Sequence, residues 1–134
     1  MGSMIGATVV RKEDPALLTG RGTFVDDITL PGTVYMAYVR SYSAHAKIVK
    51  IDTTEARNRP GVLGVWTAAD LEGLPPSRSV PGMERPCLAT DAVRFVGEPV
   101  AVVVAEGRYA AADAAEAVTV EYEELPVLAT VEAA

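Results

Sequence analysis

One cysteine, one histidine and one tryptophan in 134 residues limit what this chain can do. With Cys87 alone there is no internal disulfide, and a reducing compartment, the cytoplasm, is expected. With His45 alone there is no cluster of ligands at the spacing a zinc-type centre needs. Cations are also scarce: 12 Lys and Arg stand against 18 Asp and Glu, for a net charge of −6. The basic residues are scattered along the chain, which argues against nucleic acid, since that needs a basic cluster to displace counterions. The longest apolar run falls far short of the roughly 20 residues of a membrane-spanning helix. No basic region followed by a hydrophobic segment opens the chain, so no secretory signal is expected. No internal repeat is visible.

What is present is the composition of one globular domain. Half the residues are apolar and about a fifth charged, and the length suffices for a real core. Met1-Gly2-Ser3 before Met4 reads as a cloning leader, leaving residues 4–134 as a single domain.

The densest core is expected in Arg94–Glu123. Val100–Ala105 is six apolar residues, four of them valine, and reads as a strand covered on both faces. Arg108–Ala117 is alanine-rich, with Tyr109, Ala112, Ala115 and Glu116 at helical spacing. Val118, Val120 and Tyr122 then alternate with Thr119, Glu121 and Glu123, the period of a strand with one wet face. Strand, helix and strand imply a β-α-β unit with a right-handed crossover. Before it, Val34–Arg40, Lys47–Asp52, Val62–Thr67 and Ala92–Val96 read as strands, with Ile5–Val10 a possible edge strand. Asp14 is the expected cap of a turn through Ala16-Leu17-Leu18, ended by Gly20-Arg21-Gly22; Asp52 or Thr53 caps another through Arg57. Glu72–Pro86 holds four prolines and two glycines and reads as a long functional or docked loop. The fold class is α+β, five to seven strands with short helices, the sheet mixed.

No set of residues assembles an active site. His45 reads as structural, at a loop–strand junction, rather than as a general base. Cys87 lacks a basic partner nearer than His45, forty-two positions away, and no signature flanks either. The glycines at 20, 22, 61 and 64 do not follow a strand and open a helix, so no dinucleotide loop is implied. The acidic groups Glu13-Asp14, Asp26-Asp27 and Glu121/Glu123/Glu124 could hold a hard cation but read as solvated. Glu98, between Gly97 and Pro99 beside the buried strand, is expected to accept backbone N–H bonds or to meet an arginine. The catalytic, cofactor-binding and metal residues are therefore expected to number none.

The motifs themselves are familiar in their order: RKEDPALLTGRGTFVDDITLPG (Arg11–Gly32), AHAKI (Ala44–Ile48), PGV (Pro60–Val62), VRFVGEPVA (Val93–Ala101) and VEYEELP (Val120–Pro126). Taken together, from Ile5 to Ala134, they resemble the start of the molybdenum-binding large subunit of the xanthine dehydrogenase and aldehyde oxidase family. The likeness is greatest to the branch of aerobic carbon monoxide dehydrogenase large chains. One departure is Ser41-Tyr42-Ser43, where the family often has Ser-Pro-His before AHA. The resemblance implies an α/β-hammerhead fold and a parent enzyme that uses molybdopterin, with [2Fe–2S] and FAD on partner parts. Its implied reaction is oxidation of carbon monoxide, an aldehyde or an N-heterocycle with water as oxygen source.

This chain lacks the cysteine set for [2Fe–2S] and a flavin-type phosphate loop. It looks like the N-terminal domain, inert alone, with the catalytic glutamate and the molybdenum site in later domains. Its apolar surface and the Glu72–Pro86 loop would pack on those molybdenum-binding domains or on the iron–sulfur and flavin subunits. Two other readings are a stand-alone protein-interaction module with a hammerhead-like sheet, and a swinging-arm domain carrying biotin or lipoate on Lys47. Against the last, Ala46 and Ile48 do not make a hairpin tip.

Overall fold

The computed structural model describes residue 6, residues 11–74 and residues 86–133. The edge strand expected at Ile5–Val10 lies outside the described residues except at Gly6, and so do residues 75–85 of the loop expected at Glu72–Pro86. The chain divides into two compact units, residues 1–33 and 34–134.

In the first unit, helix α1 (Asp14–Leu18) starts one residue earlier than the sequence suggests. Glu13 stands at the N-cap position without a side-chain cap bond, so Asp14 is not the cap. Pro15 occupies the first turn, where its missing N–H costs nothing. The end is as expected and has a clear physical cause. Gly20 takes the left-handed φ of +67°, Arg21 N–H donates to Ala16 O (2.8 Å) and Gly20 N–H to Leu17 O (3.2 Å). These two bonds are the Schellman closure, which needs a residue without Cβ strain at its turning point. Further on, Asp27 Oδ2 accepts the Phe24 N–H (2.9 Å) and holds a short 3₁₀ turn at Val25–Asp27.

The second unit carries six strands among the described residues: β1 (Tyr35–Arg40), β2 (Ala46–Asp52), β3 (Val62–Thr67), β4 (Ala92–Val93), β5 (Pro99–Ala105) and β6 (Thr119–Glu124). Helix α2 (Thr54–Arg57) joins β2 to β3, and α3 (Arg108–Glu116) joins β5 to β6. Branched and aromatic residues in VYMAYVR, VLGVWT and PVAVVVA make these strands legible. The fold is α+β, as the sequence indicates.

The sheets are not mixed, however. β1, β5 and β3 form one antiparallel sheet in that order, and β4, β2 and β6 a second. Strand β5 therefore lies in the first sheet and β6 in the second, and the expected crossover within one sheet is replaced by a connection between sheets. Local periodicity fixes strand, helix and strand but carries no information about which edge each strand joins.

β5 is the centre of the first sheet, with Tyr38, Val102 and Trp66 in one row and Ala37, Val103 and Val65 in the next. Ala101, Val103 and Ala105 are fully buried, whereas Val102 and Val104 keep part of their surface. The valine run is thus fully covered on one face, and on the other only at Val100. Helix α3 lies across β1 and β5 on the covered side. It buries Ala111 and Ala114, whose small side chains permit close approach, while Tyr109 at 83 % exposure and Ala112 face outward. One core joins both sheets, with Ala46 and Val93 from the second meeting Val39, Val65, Val100, Val103 and Ala114. Each fully buried valine here contributes about 2 kcal/mol of transfer free energy.

β4 stops after Val93, not at Val96. The reason is local and leads to the candidate site. The Arg94 N–H is taken by the Glu98 carboxylate instead of a neighbouring strand.

Candidate functional site

The residues Arg94–Pro99 form a hub between the two sheets. Glu98 N–H donates to Phe95 O (3.2 Å), closing a turn whose third residue, Gly97, has φ of +90°. A side chain at that position would be strained, which is why the turn carries glycine. Strand β1 is tied to the turn from its end: Gly97 N–H donates to Ser41 O (2.7 Å), Ser41 N–H to Glu98 O (2.9 Å) and Arg40 Nη1 to Gly97 O (2.9 Å). Ala89 N–H donates to Pro99 O (2.8 Å), so even the proline that cannot donate takes part as acceptor. Glu98 does both things expected of it. Its Oε2 accepts the Arg94 N–H, and its Oε1 lies 3.9 Å from Arg94 Nη1, with the carboxylate largely buried. The sequence does not say which arginine it meets; the four-residue spacing of Arg94 and Glu98 was the available signal.

A cavity of about 330 Å³ opens beside this hub, lined by Tyr38, Pro86, Cys87, Ala89, Phe95, Glu98 and Pro99. Cys87 is exposed and free. His45 is not among the lining residues, so the structure does not bring the two together as a nucleophile and base.

His45 instead fastens the end of β6. Its Nδ1 lies 2.8 Å from Pro126 O, and its own carbonyl accepts the Leu125 N–H (2.9 Å). A carbonyl only accepts, so Nδ1 carries the proton and the ring is a structural donor. Close by, Ser43 Oγ donates to Glu124 Oε1 (2.6 Å), and the buried Ser41 Oγ accepts Ser43 N–H (3.0 Å). Tyr42, between the two serines, meets Tyr122 edge to face at 5.1 Å. Burial raises the Tyr122 phenol above its ordinary value, with Tyr42 adding to the rise and a bond with Ser41 opposing it. The AHAKI and EELP motifs are thus one structural joint.

The other singled-out residues are dispersed. Lys47 is the second residue of β2, paired across the sheet 3.5 Å from Glu123 Oε2 and not at a hairpin tip, which counts against the swinging-arm reading. Glu124 turns to Ser43, and Glu121 stands opposite Lys50. Asp14 pairs with Arg11 at 3.6 Å, and Asp27 closes its own turn. Gly20 follows a helix rather than opening one. Among the described residues no group of three or more His, Cys, Asp or Glu side chains could hold a metal ion.

Two further concavities went unread in the sequence. A groove of about 450 Å³ runs between β1, α3 and β6, lined by apolar groups with Arg40, Glu116, Tyr42 and Tyr122 at its polar points. In the first unit, a hollow of about 720 Å³ gathers Arg11, Lys12 and Arg21 around Leu17 and Phe24, with Glu13 among them. Turns that bring residues 11, 12 and 21 together are not a periodic signal, so the chain read linearly shows only scattered cations. Neither concavity pairs a nucleophile with a base.

Residues 19–126 match the family model of the aldehyde oxidase and xanthine dehydrogenase a/b hammerhead domain. The chain is 47% identical over 133 residues to the nicotine 6-hydroxylase large subunit of Paenarthrobacter nicotinovorans, covering 94% of this chain and 16% of that protein. It is 46% identical over 126 residues to the carbon monoxide dehydrogenase large chain of Afipia carboxidovorans, covering 92% and 16%. The solved structure of reconstituted CO dehydrogenase from Oligotropha carboxidovorans superposes with a TM-score of 0.82 at 46% identity, over 93% of this chain and 16% of that one. The chain therefore spans about a sixth of the length of these relatives.

Proposed function

Because this chain belongs to the aldehyde oxidase and xanthine dehydrogenase a/b hammerhead family, we propose that residues 4–134 form the N-terminal scaffold domain of a molybdenum-dependent hydroxylase or dehydrogenase large subunit. The observation that carries this reading is coverage: nearly all of the chain aligns, and it aligns to only 16% of each large subunit. Relatives named as a large subunit, a large chain and a molybdenum-binding subunit fit the same picture.

The residues present do not fit the family's redox groups as ligands. A [2Fe–2S] cluster takes four protein ligands, most often thiolates, and the sequence has one cysteine. The carboxylates near the hub and the sheet edge are committed to Arg94, Lys47 and Ser43. On this reading the domain contributes no catalytic, cofactor-binding or metal residue. Molybdopterin sits in later domains of the same subunit, and [2Fe–2S] and FAD on partner parts. The parent reaction is a two-electron oxidation of carbon monoxide, an aldehyde or an N-heterocycle, with water supplying the oxygen. The free, exposed Cys87 suits the cytoplasm, and among the described residues no helix is long and apolar enough to cross a membrane.

An antibody against this domain, used on source cells, tests the reading. The expected band is several times heavier than 14.1 kDa and co-purifies with molybdenum. A native polypeptide of the chain's own mass would point instead to a stand-alone interaction module.

A further inference from the structure

The two sheets of the second unit turn opposite kinds of surface outward. On the second sheet Lys47 stands opposite Glu123 and Lys50 opposite Glu121, all four exposed. Opposite charges facing each other across strands suit a sheet face in water. On the first sheet, the face turned away from α3 carries Met36, Val104 and Gly64 in one row and Tyr38, Val102 and Trp66 in the next. Met36 is 58 % exposed, Tyr38 42 % and Trp66 36 %, and Leu63, at the bulge beside them, 53 %. The adjoining charge, Arg40, is turned onto the Tyr38 ring, 5.3 Å from its centroid. Trp66 lies over Gly64, where a Cβ would sit 2.3 Å from the indole. The missing side chain lets the ring lie down, and the result is a flat table of aromatic and aliphatic groups. A contiguous face of this kind marks a surface that something covers.

We propose that the outward face of the first sheet, centred on Met36, Tyr38 and Trp66, is the seat of the remainder of the large-subunit polypeptide, while the charged face of the second sheet stays in water. The proposal rests on the reading that this domain is part of a longer chain. Two observations select that occupant over a separable subunit. The face is apolar apart from Arg40, which is exposed and stacked on the Tyr38 ring at its edge. A largely apolar face is the chemistry of a permanent interface; contacts that form and part are more polar. In addition, the chain spans only 16% of its relatives, so most of such a polypeptide is available, covalently attached, to cover it.

The test places the photo-cross-linking residue p-benzoylphenylalanine at Met36, and separately at Lys47, in the full-length native polypeptide produced with its partner subunits. Tyr38 serves as a second position if the Met36 variant does not accumulate. The expected result is a cross-link from Met36 to a peptide of the same chain beyond residue 134, with no heavier band and no cross-link from Lys47. A cross-link from Met36 to another subunit or to a second copy, no cross-link at all, or equal cross-linking from Lys47 would overturn the proposal. The mass of the polypeptide before irradiation separates this from the earlier reading: a chain of 14.1 kDa sinks both, a heavier chain with the wrong cross-link only this one.

Discussion

Glu98 shows how much one side chain decides at the residue scale. Its carboxylate ends β4 by taking the Arg94 N–H and reaches the Arg94 guanidinium, while its carbonyl holds Ser41. Glu98→Ala removes the acceptor of the exposed Arg94 N–H and a largely buried carboxylate, and we expect a loss of about 1 kcal/mol in urea unfolding. Glu98→Gln keeps an acceptor and loses only the charge, so its cost is expected to be less than half as large; equal costs would show that the ion pair, not the backbone bond, matters. Gly64 makes a second case. In Gly64→Ala the new Cβ meets three indole atoms between 2.3 and 2.9 Å away, so Trp66 must leave its seat. The indole is the outer end of an exposed side chain and can swing aside, so the cost is expected to stay under about 1 kcal/mol. Trp66 is the sole tryptophan, and its emission should shift to the red in this variant.

The element that organises the unit is β5. Its two sides differ in burial because α3 covers only one, which separates neighbouring valines by environment rather than by chemistry. Val103 is fully buried between Ala37 and Val65, and Val103→Ala is expected to cost about 2 kcal/mol or more through lost transfer energy and the cavity left behind. Val102, one residue earlier, keeps part of its surface on the outward face, and Val102→Ala should cost well under half of that in the same assay. Comparable costs would mean that the outward face is already covered within the chain. The α3 sequence was legible as a helix from its alanines, but its buried stripe, Ala111 and Ala114, was not. Tyr109 offered the larger apolar group and yet points to solvent, because only small residues let the helix lie close on the sheet.

Across the whole molecule, stability in acid should depend on three surface aspartates. The Thr54 backbone N–H lowers the Asp52 carboxyl from 3.8 to about 2, helped by the Thr54 hydroxyl and Lys50. Bonds from Thr67 lower Asp70, and bonds with Thr90, its own backbone and Arg94 lower Asp91. All three are depressed in the folded state, so the stability they supply is present above about pH 4 and is lost as pH falls below it, in the case of Asp52 toward about 2. Thermal midpoints measured between pH 4 and 2 should therefore fall less steeply for Asp52→Asn than for the unsubstituted chain. A parallel course for the two would mean that Asp52 is not part of the acid response. Added salt should weaken the Lys50 and Arg94 contributions, which are exposed, more than the backbone bonds.

The sequence by itself determined the elements and the family. Valine-rich and alternating runs placed the strands, alanine placed α3, glycines and prolines placed the turns, and the ordered motifs gave the hammerhead resemblance. These are local signals, set by φ/ψ preference and by side-chain period. Tertiary structure alone decided that β5 and β6 belong to different sheets, that Glu98 holds Ser41 through its carbonyl, that His45 is a clasp on Pro126, and that one sheet face is charged and the other apolar. Those outcomes depend on which edges pair and which faces α3 covers. Such contacts join residues far apart in the chain, and no window of the sequence contains both partners.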